Sequence, residues 1–281
     1  MRSLVASVSL VLMLSACGAD GESMSTTERA PTGLPDDHIL FAIDYIVDDP
    51  VLTDVYDPRW ASLTADGTLV YERRNVDAIL GTTVTKLDAA ALEEVWSAIT
   101  NSGVFTDGNL VLPGFPQGGG PATAFVFRVD DGTRSTRLTI QSLGSEQIFS
   151  DTSVFGPPPI PDAEMTLRTA ATKLTDDLRA MQGEDPWTPP ALLLWWRTEL
   201  PGDWDATILP WPLPVDLASA GHPIDHAVWD RCARLDGDEA AAVARFAQTL
   251  PIEHLVEVDG VRYGIIIRAI HPDELDQVAC P

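Results

Sequence analysis

Three Asp-Gly pairs, each between two runs of β-prone residues, constrain the fold of this chain more than any other feature of its sequence. A tight hairpin loop needs backbone with positive φ, which glycine adopts at little cost and aspartate tolerates. Each pair therefore predicts an antiparallel hairpin. The pairs and their flanking runs are Asp66-Gly67 within Trp60 to Tyr71, Asp131-Gly132 within Phe125 to Ile140, and Asp259-Gly260 within Leu255 to Ile270.

Three helices are predicted around these hairpins. Asp88 is a suitable N-cap for a helix over Ala89 to Ser102. Further helices are predicted after Pro161-Asp162 and over residues 237–249, each with apolar residues along one face. Antiparallel β-hairpins with a few helices packed on the sheet indicate an α+β fold.

Composition changes along the chain near residues 184–190. Eight prolines lie from Pro186 to Pro223, and six of the eight tryptophans lie from Trp187 to Trp229. We therefore expect an α+β module over residues 37–183 and a Trp/Pro-rich second module over residues 184–281. The sequence is compatible with two related modules and with one sheet that continues through both.

The N-terminus has the form of an export signal. A basic start is followed by an apolar run from Leu4 to Leu14, which is too short to span a bilayer as a helix. Leu14-Ser15-Ala16-Cys17 resembles the lipobox of bacterial lipoproteins. The resemblance implies that residues 1–16 are removed as a signal peptide and that Cys17 carries a diacylglyceryl thioether. An ordinary secretory signal, in which the cysteine is incidental, is the alternative.

The rest of the chain is similar to uncharacterised exported bacterial lipoproteins. The similarity lies in the strand, Asp-Gly, strand, helix pattern and in a terminal passage with Trp211-Pro212-Leu213-Pro214 and two cysteines. It implies no known activity. Residues 17–36 hold almost no bulky apolar side chain and are predicted to be a flexible tether between the lipid and the body.

The charge of the chain excludes one class of partner. It has 42 acidic and 18 basic residues, for a net charge of −24. A nucleic-acid-binding protein needs a basic face, and no cluster of lysine or arginine provides one. We expect the acidity to serve solubility, and attachment to the membrane to depend on the lipid.

Two cysteines remain if Cys17 is acylated. Cys232 and Cys280 lie in no C-x-x-C pair, which argues against a metal site. In an oxidising compartment they are expected to form a disulfide, and two free thiols are the alternative.

Catalytic and metal-binding motifs are weak. No G-x-S-x-G, H-E-x-x-H or phosphate-binding loop is present, and no cofactor is expected. His222 and His226, with Asp225 between them, are candidate metal ligands, but the cluster lacks a clear third ligand at fixed spacing, so a loop or helix start with solvated histidines is the alternative. Asp203 and Asp205 flank Trp204 and form a still weaker candidate acid pair.

Tryptophans in the second module have two interpretations. Trp195, Trp196, Trp204 and Trp211 are a possible ligand surface, since aromatic rings offer large contact areas at small entropic cost. The alternative is that they fill the core. Trp195 and Trp196 are adjacent in a predicted strand, Leu192 to Leu200, so we expect them to face opposite sides.

These observations predict a membrane-anchored extracytoplasmic lipoprotein. We expect a non-enzymatic binding or structural module of the cell envelope, whose partner is an envelope protein or a cell-wall ligand. The alternative hypothesis is a metal-dependent or hydrolytic envelope enzyme that uses residues 203–226.

Overall fold

The protein has an α+β fold with two mixed β-sheets. The computed structural model describes residues 29–48, 59–72, 81–105, 108–114, 122–143, 160–181, 183, 185–198, 207–211, 213, 215–225, 229–250 and 254–280. Within these residues lie 14 strands and three α-helices. The predicted fold class is confirmed.

The first sheet contains eight strands and is covered by two helices. The strands are β1 (Ile39–Asp48), β2 (Arg59–Thr64), β3 (Thr68–Glu72), β4 (Thr82–Lys86), β5 (Asn109–Leu112), β6 (Ala122–Asp130), β7 (Ser135–Gln141) and β8 (Asp185–Pro186). They lie in the order β5-β7-β6-β1-β2-β3-β4-β8. The helices are α1 (Ala89–Thr100) and α2 (Asp162–Ala180).

Both helices bury an apolar stripe against this sheet. Trp96 and Ile99 of α1, and Leu174 and Leu178 of α2, belong to the same core as Phe41 of β1. The spacing of three or four residues places each pair on one helical face. Asp88 caps α1 as predicted, because its Oδ1 accepts a hydrogen bond from the amide of Ala91 at 2.9 Å.

The second sheet contains six strands and one helix. The strands are β9 (Ala191–Thr198), β10 (Thr207–Pro210), β11 (His222–Pro223), β12 (Arg231–Asp236), β13 (His254–Val258) and β14 (Val261–Ile270), in the order β10-β13-β14-β9-β12-β11. The helix is α3 (Gly237–Ala247). The chain passes from one sheet to the other between residues 186 and 191, so the two parts do not share one continuous sheet.

Strand β9 is buried on both faces. Leu192, Leu194 and Trp196 point towards α3 and share a core with its alanines and valine. The intervening side chains, which include Leu193 and Trp195, belong to a separate core on the opposite face. Alternation along the strand therefore divides one apolar run between two cores.

The three predicted hairpins are confirmed. They pair β2 with β3, β6 with β7, and β13 with β14. The glycines of all three loops have positive φ, and Asp259 shares this conformation in the two-residue loop between β13 and β14. Glycine is needed most at Gly67, where an added Cβ would lie 2.8 Å from the carbonyl oxygen of Leu87.

Two features differ from the prediction. Parallel pairs join β5 to β7 and β10 to β13, at an outer position in each sheet.

The folded body also starts earlier than residue 37. Ala30 is 6% exposed and packs in the first core, and its amide donates to Glu93 Oε2 at 2.8 Å. Residues 29–36, predicted as the end of the tether, therefore belong to the body.

No helix in the described part of the chain combines the length and the apolar character that crossing a bilayer requires.

Candidate functional site

The last ten described residues form a segment that we call the C-terminal strap, residues 271–280. It follows β14, turns through a short 3-10 helix (Pro272–Glu274), and ends at a disulfide between Cys280 and Cys232 of β12. The Cα atoms of the two cysteines are 5.8 Å apart. The predicted pairing is therefore present, and it fixes the strap to the second sheet.

Hydrogen bonds also hold the strap on the second sheet. Arg234 of β12 donates from Nη1 to the carbonyl oxygens of Leu275 and Val278, at 2.5 and 3.0 Å. The side chains of Leu275 and Val278 pack against the core that contains Trp195. The strap thus covers the face of the second sheet that lies opposite α3.

The strap carries its charged side chains to the first sheet. The side chain of Arg59 in β2 is 2% exposed, and its Nε donates to Asp44 of β1 at 2.9 Å. Its Nη1 donates to Asp273 of the strap, and Nη2 lies 3.9 Å from Glu274. Burial alone would lower the pKa of Arg59, but these three carboxylates outweigh it and raise the pKa, so the buried guanidinium stays charged.

His271 occupies the centre of this contact between the sheets. Its Nδ1 lies 3.2 Å from Oγ of Ser62 in β2, and its ring lies over Trp187 with 4.6 Å between the ring centroids. Burial, and then the positive charges of Arg59, Arg268 and Arg128, hold the pKa of His271 well below its usual 6.5. The imidazole is therefore neutral at physiological pH.

Two further ion pairs complete the charged cluster. Arg128 of β6 donates from Nη2 to Asp44 at 2.8 Å, and Arg268 of β14 donates from Nη2 to Glu274 at 2.8 Å. Glu274 thereby contacts cations from both sheets. We call Arg59, Asp44, Arg128, Arg268, His271, Asp273 and Glu274 the junction cluster. Its acidic and basic side chains pair with one another across the contact between the two sheets, which is the arrangement of a structural contact.

A cavity of about 600 Å³ lies beside the end of the strap. Its walls come from β11 and the loop before it, from β12, from the first turn of α3 and from the end of the strap. The polar lining residues are Asp216, Ser219, His222, Arg234 and Glu239, and Cys280 lines the cavity as well. The volume falls within the range of small-molecule sites.

The structure places the predicted tryptophan surface mostly inside the protein. Trp195 and Trp196 are each 1% exposed, on opposite faces of β9 as predicted, so neither offers a face to a ligand. Trp211 is partly buried and packs edge-on against Phe246, and its Nε1 donates to the carbonyl oxygen of Val215 at 2.7 Å. Trp204 lies outside the described residues.

The predicted metal candidates do not form a site in the described part of the chain. His222 and Asp225 are exposed, while His226, Asp203 and Asp205 lie outside the described residues. Among the residues described, no group of three or more His, Cys, Asp or Glu side chains is placed to hold a metal ion.

Sequence reasoning missed the junction cluster. Arg59 and Asp273 are 214 residues apart, and Ser62 and His271 are 209 residues apart. No local spacing reports such contacts. One sequence signal bears on it: Arg59 directly precedes Trp60, the first residue of a predicted strand, and an arginine that becomes buried there requires carboxylate partners.

No protein-family model matches this chain, and no curated protein matches it either.

Proposed function

We propose that this protein is a lipid-anchored component of the extracytoplasmic envelope, in which the folded body acts as a binding or structural module. The observation that carries the proposal is the disulfide between Cys232 and Cys280. Disulfides persist in oxidising compartments and are rare in the cytosol. This agrees with an N-terminus that resembles an export signal ending in a lipobox.

The length of chain before the body limits where it works. Eleven residues, 18–28, separate Cys17 from the first described residue. Even a fully extended segment of this length reaches only about 40 Å. A lipid on Cys17 would therefore keep the body close to the bilayer, while the net charge of −24 opposes direct binding to anionic headgroups.

The cavity beside the strap is a candidate site for a ligand from the envelope. Its walls carry carboxylates, an imidazole and a guanidinium around small apolar side chains such as Ala233. This lining suits a small polar molecule or a polar side chain of a partner protein better than an apolar ligand. The junction cluster supports a structural role for the body, because its ion pairs hold the two sheets together.

Partitioning between detergent and aqueous phases tests the anchor. The full-length protein expressed with its signal should enter the detergent phase and incorporate labelled fatty acid. Cys17→Ala should incorporate none, while Ser25→Ala, a control in the same segment, should behave like the unaltered chain. Incorporation of labelled fatty acid by Cys17→Ala would contradict the lipid anchor.

A further inference from the structure

The two sulfur atoms of the disulfide differ in their access to solvent. Cys232 is fully buried within the core on the strap side of β9. Cys280 is partly exposed and lines the cavity of about 600 Å³, whereas Cys232 does not line it. Of the two cysteines, Cys280 is therefore the one within reach of a reagent that enters the cavity.

We propose that this cavity is a thiol–disulfide exchange site, in which a small thiol attacks Cys280 and thereby releases the strap from the second sheet. The inference does not depend on the lipid anchor. The substrate class is a small dithiol or a pair of monothiols, which supplies the two electrons that the disulfide accepts.

The chemistry follows the ordinary course of exchange. The thiolate of the reagent forms a bond to Sγ of Cys280, and the bond to Sγ of Cys232 breaks. The electron pair leaves with Cys232, which takes a proton from water. A second thiol then attacks the sulfur of the bound reagent, so Cys280 leaves as a thiol and the reagent is oxidised to its own disulfide.

Charge in the cavity selects among thiols. Asp216 and Glu239 bring negative charge to its walls, and the guanidinium of Arg234 pairs with Asp236 at 3.1 Å. An anionic thiol such as glutathione is repelled by this lining, while cationic cysteamine is attracted. Per thiolate, cysteamine should therefore react faster than glutathione.

Opening the disulfide has an effect in the first sheet. The strap holds Asp273 and Glu274 beside Arg59, and the disulfide fixes the far end of the same strap. Without it, among the described residues, that end is held on the second sheet by the hydrogen bonds of Arg234 and by the packing of Leu275, Val278 and Cys280. Reduction therefore loosens the contact between the two sheets as well as the strap itself.

Trapping the first product tests the direction of attack. The folded protein is treated briefly with cysteamine, quenched with acid, denatured, alkylated with N-ethylmaleimide and mapped by mass spectrometry. We expect the cysteamine adduct on Cys280 and the maleimide on Cys232, with a preference of about tenfold or more. The same reaction in guanidinium chloride should label both cysteines about equally. Equal labelling, or an adduct on Cys232, in the folded protein would overturn the proposal.

Two further measurements test the cavity and the strap. Glu239→Gln should raise the rate of reaction with glutathione towards the rate with cysteamine. An unchanged ratio of these two rates would contradict entry through the cavity.

Hydrogen exchange after complete reduction should rise in residues 271–280 and in residues 59–64. Unchanged exchange in residues 59–64 would show that reduction of the disulfide does not loosen the contact between the strap and the first sheet.

Discussion

The two faces of strand β9 are closed in different ways. On one face, α3 contributes Ala240, Val243 and Ala244 to a core that also holds Trp196. On the other face, an irregular strap covers Trp195 and is held by a disulfide, by Arg234 and by the junction cluster. A helix forms its own backbone hydrogen bonds, so it can cover a face through burial of its side chains alone. An irregular segment needs other partners for its backbone groups, and it also needs a cross-link that limits the conformational entropy it gains on detaching.

Removing the disulfide should have the largest effect on this comparison. The bond joins residues 48 positions apart. The chain-entropy relation gives about 4 kcal/mol for a loop of that length, so the double variant Cys232→Ala/Cys280→Ala should lose roughly that much free energy of unfolding in denaturant titrations.

A matched variant on the helical face serves as the control. Leu250→Ala removes a fully buried side chain from the core of α3 and should cost about 2–5 kcal/mol. At equal global stability, only the cysteine variant should lose hydrogen-exchange protection in residues 271–280. Equal protection of the strap in both variants would contradict the claim that the disulfide holds the strap on its face of β9.

Asp273→Asn should weaken the contact between the strap and the first sheet. The substitution removes a carboxylate from Arg59, whose side chain is almost fully buried. Hydrogen bonds to charged groups are worth about 1.5–3 kcal/mol, and we expect a loss in this range in thermal or denaturant unfolding. Asp176→Asn breaks an exposed pair with Arg179 and should cost at most about 0.5 kcal/mol. Similar small losses for both variants would show that the junction cluster adds little.

Acid should lower the free energy of unfolding through His271, which lies in the strap. Its folded-state pKa lies well below 6.5, so below that pH the unfolded chain binds a proton that the folded protein does not. The free energy of unfolding is therefore undiminished above pH 6.5 and falls below it, by at most about 1.4 kcal/mol per pH unit for this one proton.

The carboxylates of Asp44, Asp273 and Glu274 face the same cluster, so the comparison is made with His271→Gln. Unfolding of that variant between pH 7 and 5 should depend less on pH than unfolding of the unaltered protein. Parallel pH profiles for the two proteins would contradict the assignment to His271.

The paired tryptophans allow the finest comparison. Nε1 of Trp196 donates to the carbonyl oxygen of Leu217 at 2.8 Å, whereas Nε1 of Trp195 is buried with no acceptor among the described residues. Trp196→Phe should cost about 1 kcal/mol more than Trp195→Phe in unfolding titrations, because only the first substitution leaves a buried acceptor unpaired. The reverse order would show that ring packing outweighs this hydrogen bond.

The sequence predicted the elements whose signals are local. Positive φ at Gly67 and Gly132, the cap at Asp88 and the opposite faces of Trp195 and Trp196 all follow from a few neighbouring residues. Strands β5 and β10 were missed because each has four residues in an outer position, where little burial imposes a pattern. The junction cluster was missed because its partners lie far apart in the sequence and come together only in the tertiary fold.

Counting free thiols in the protein isolated from its natural host tests the central claim most directly. The sequence has three cysteines. If Cys17 carries a lipid and the strap is closed by Cys232 and Cys280, alkylation of the denatured protein should label none of them before reduction and two after it. Any label before reduction, or three labels after it, would contradict the account.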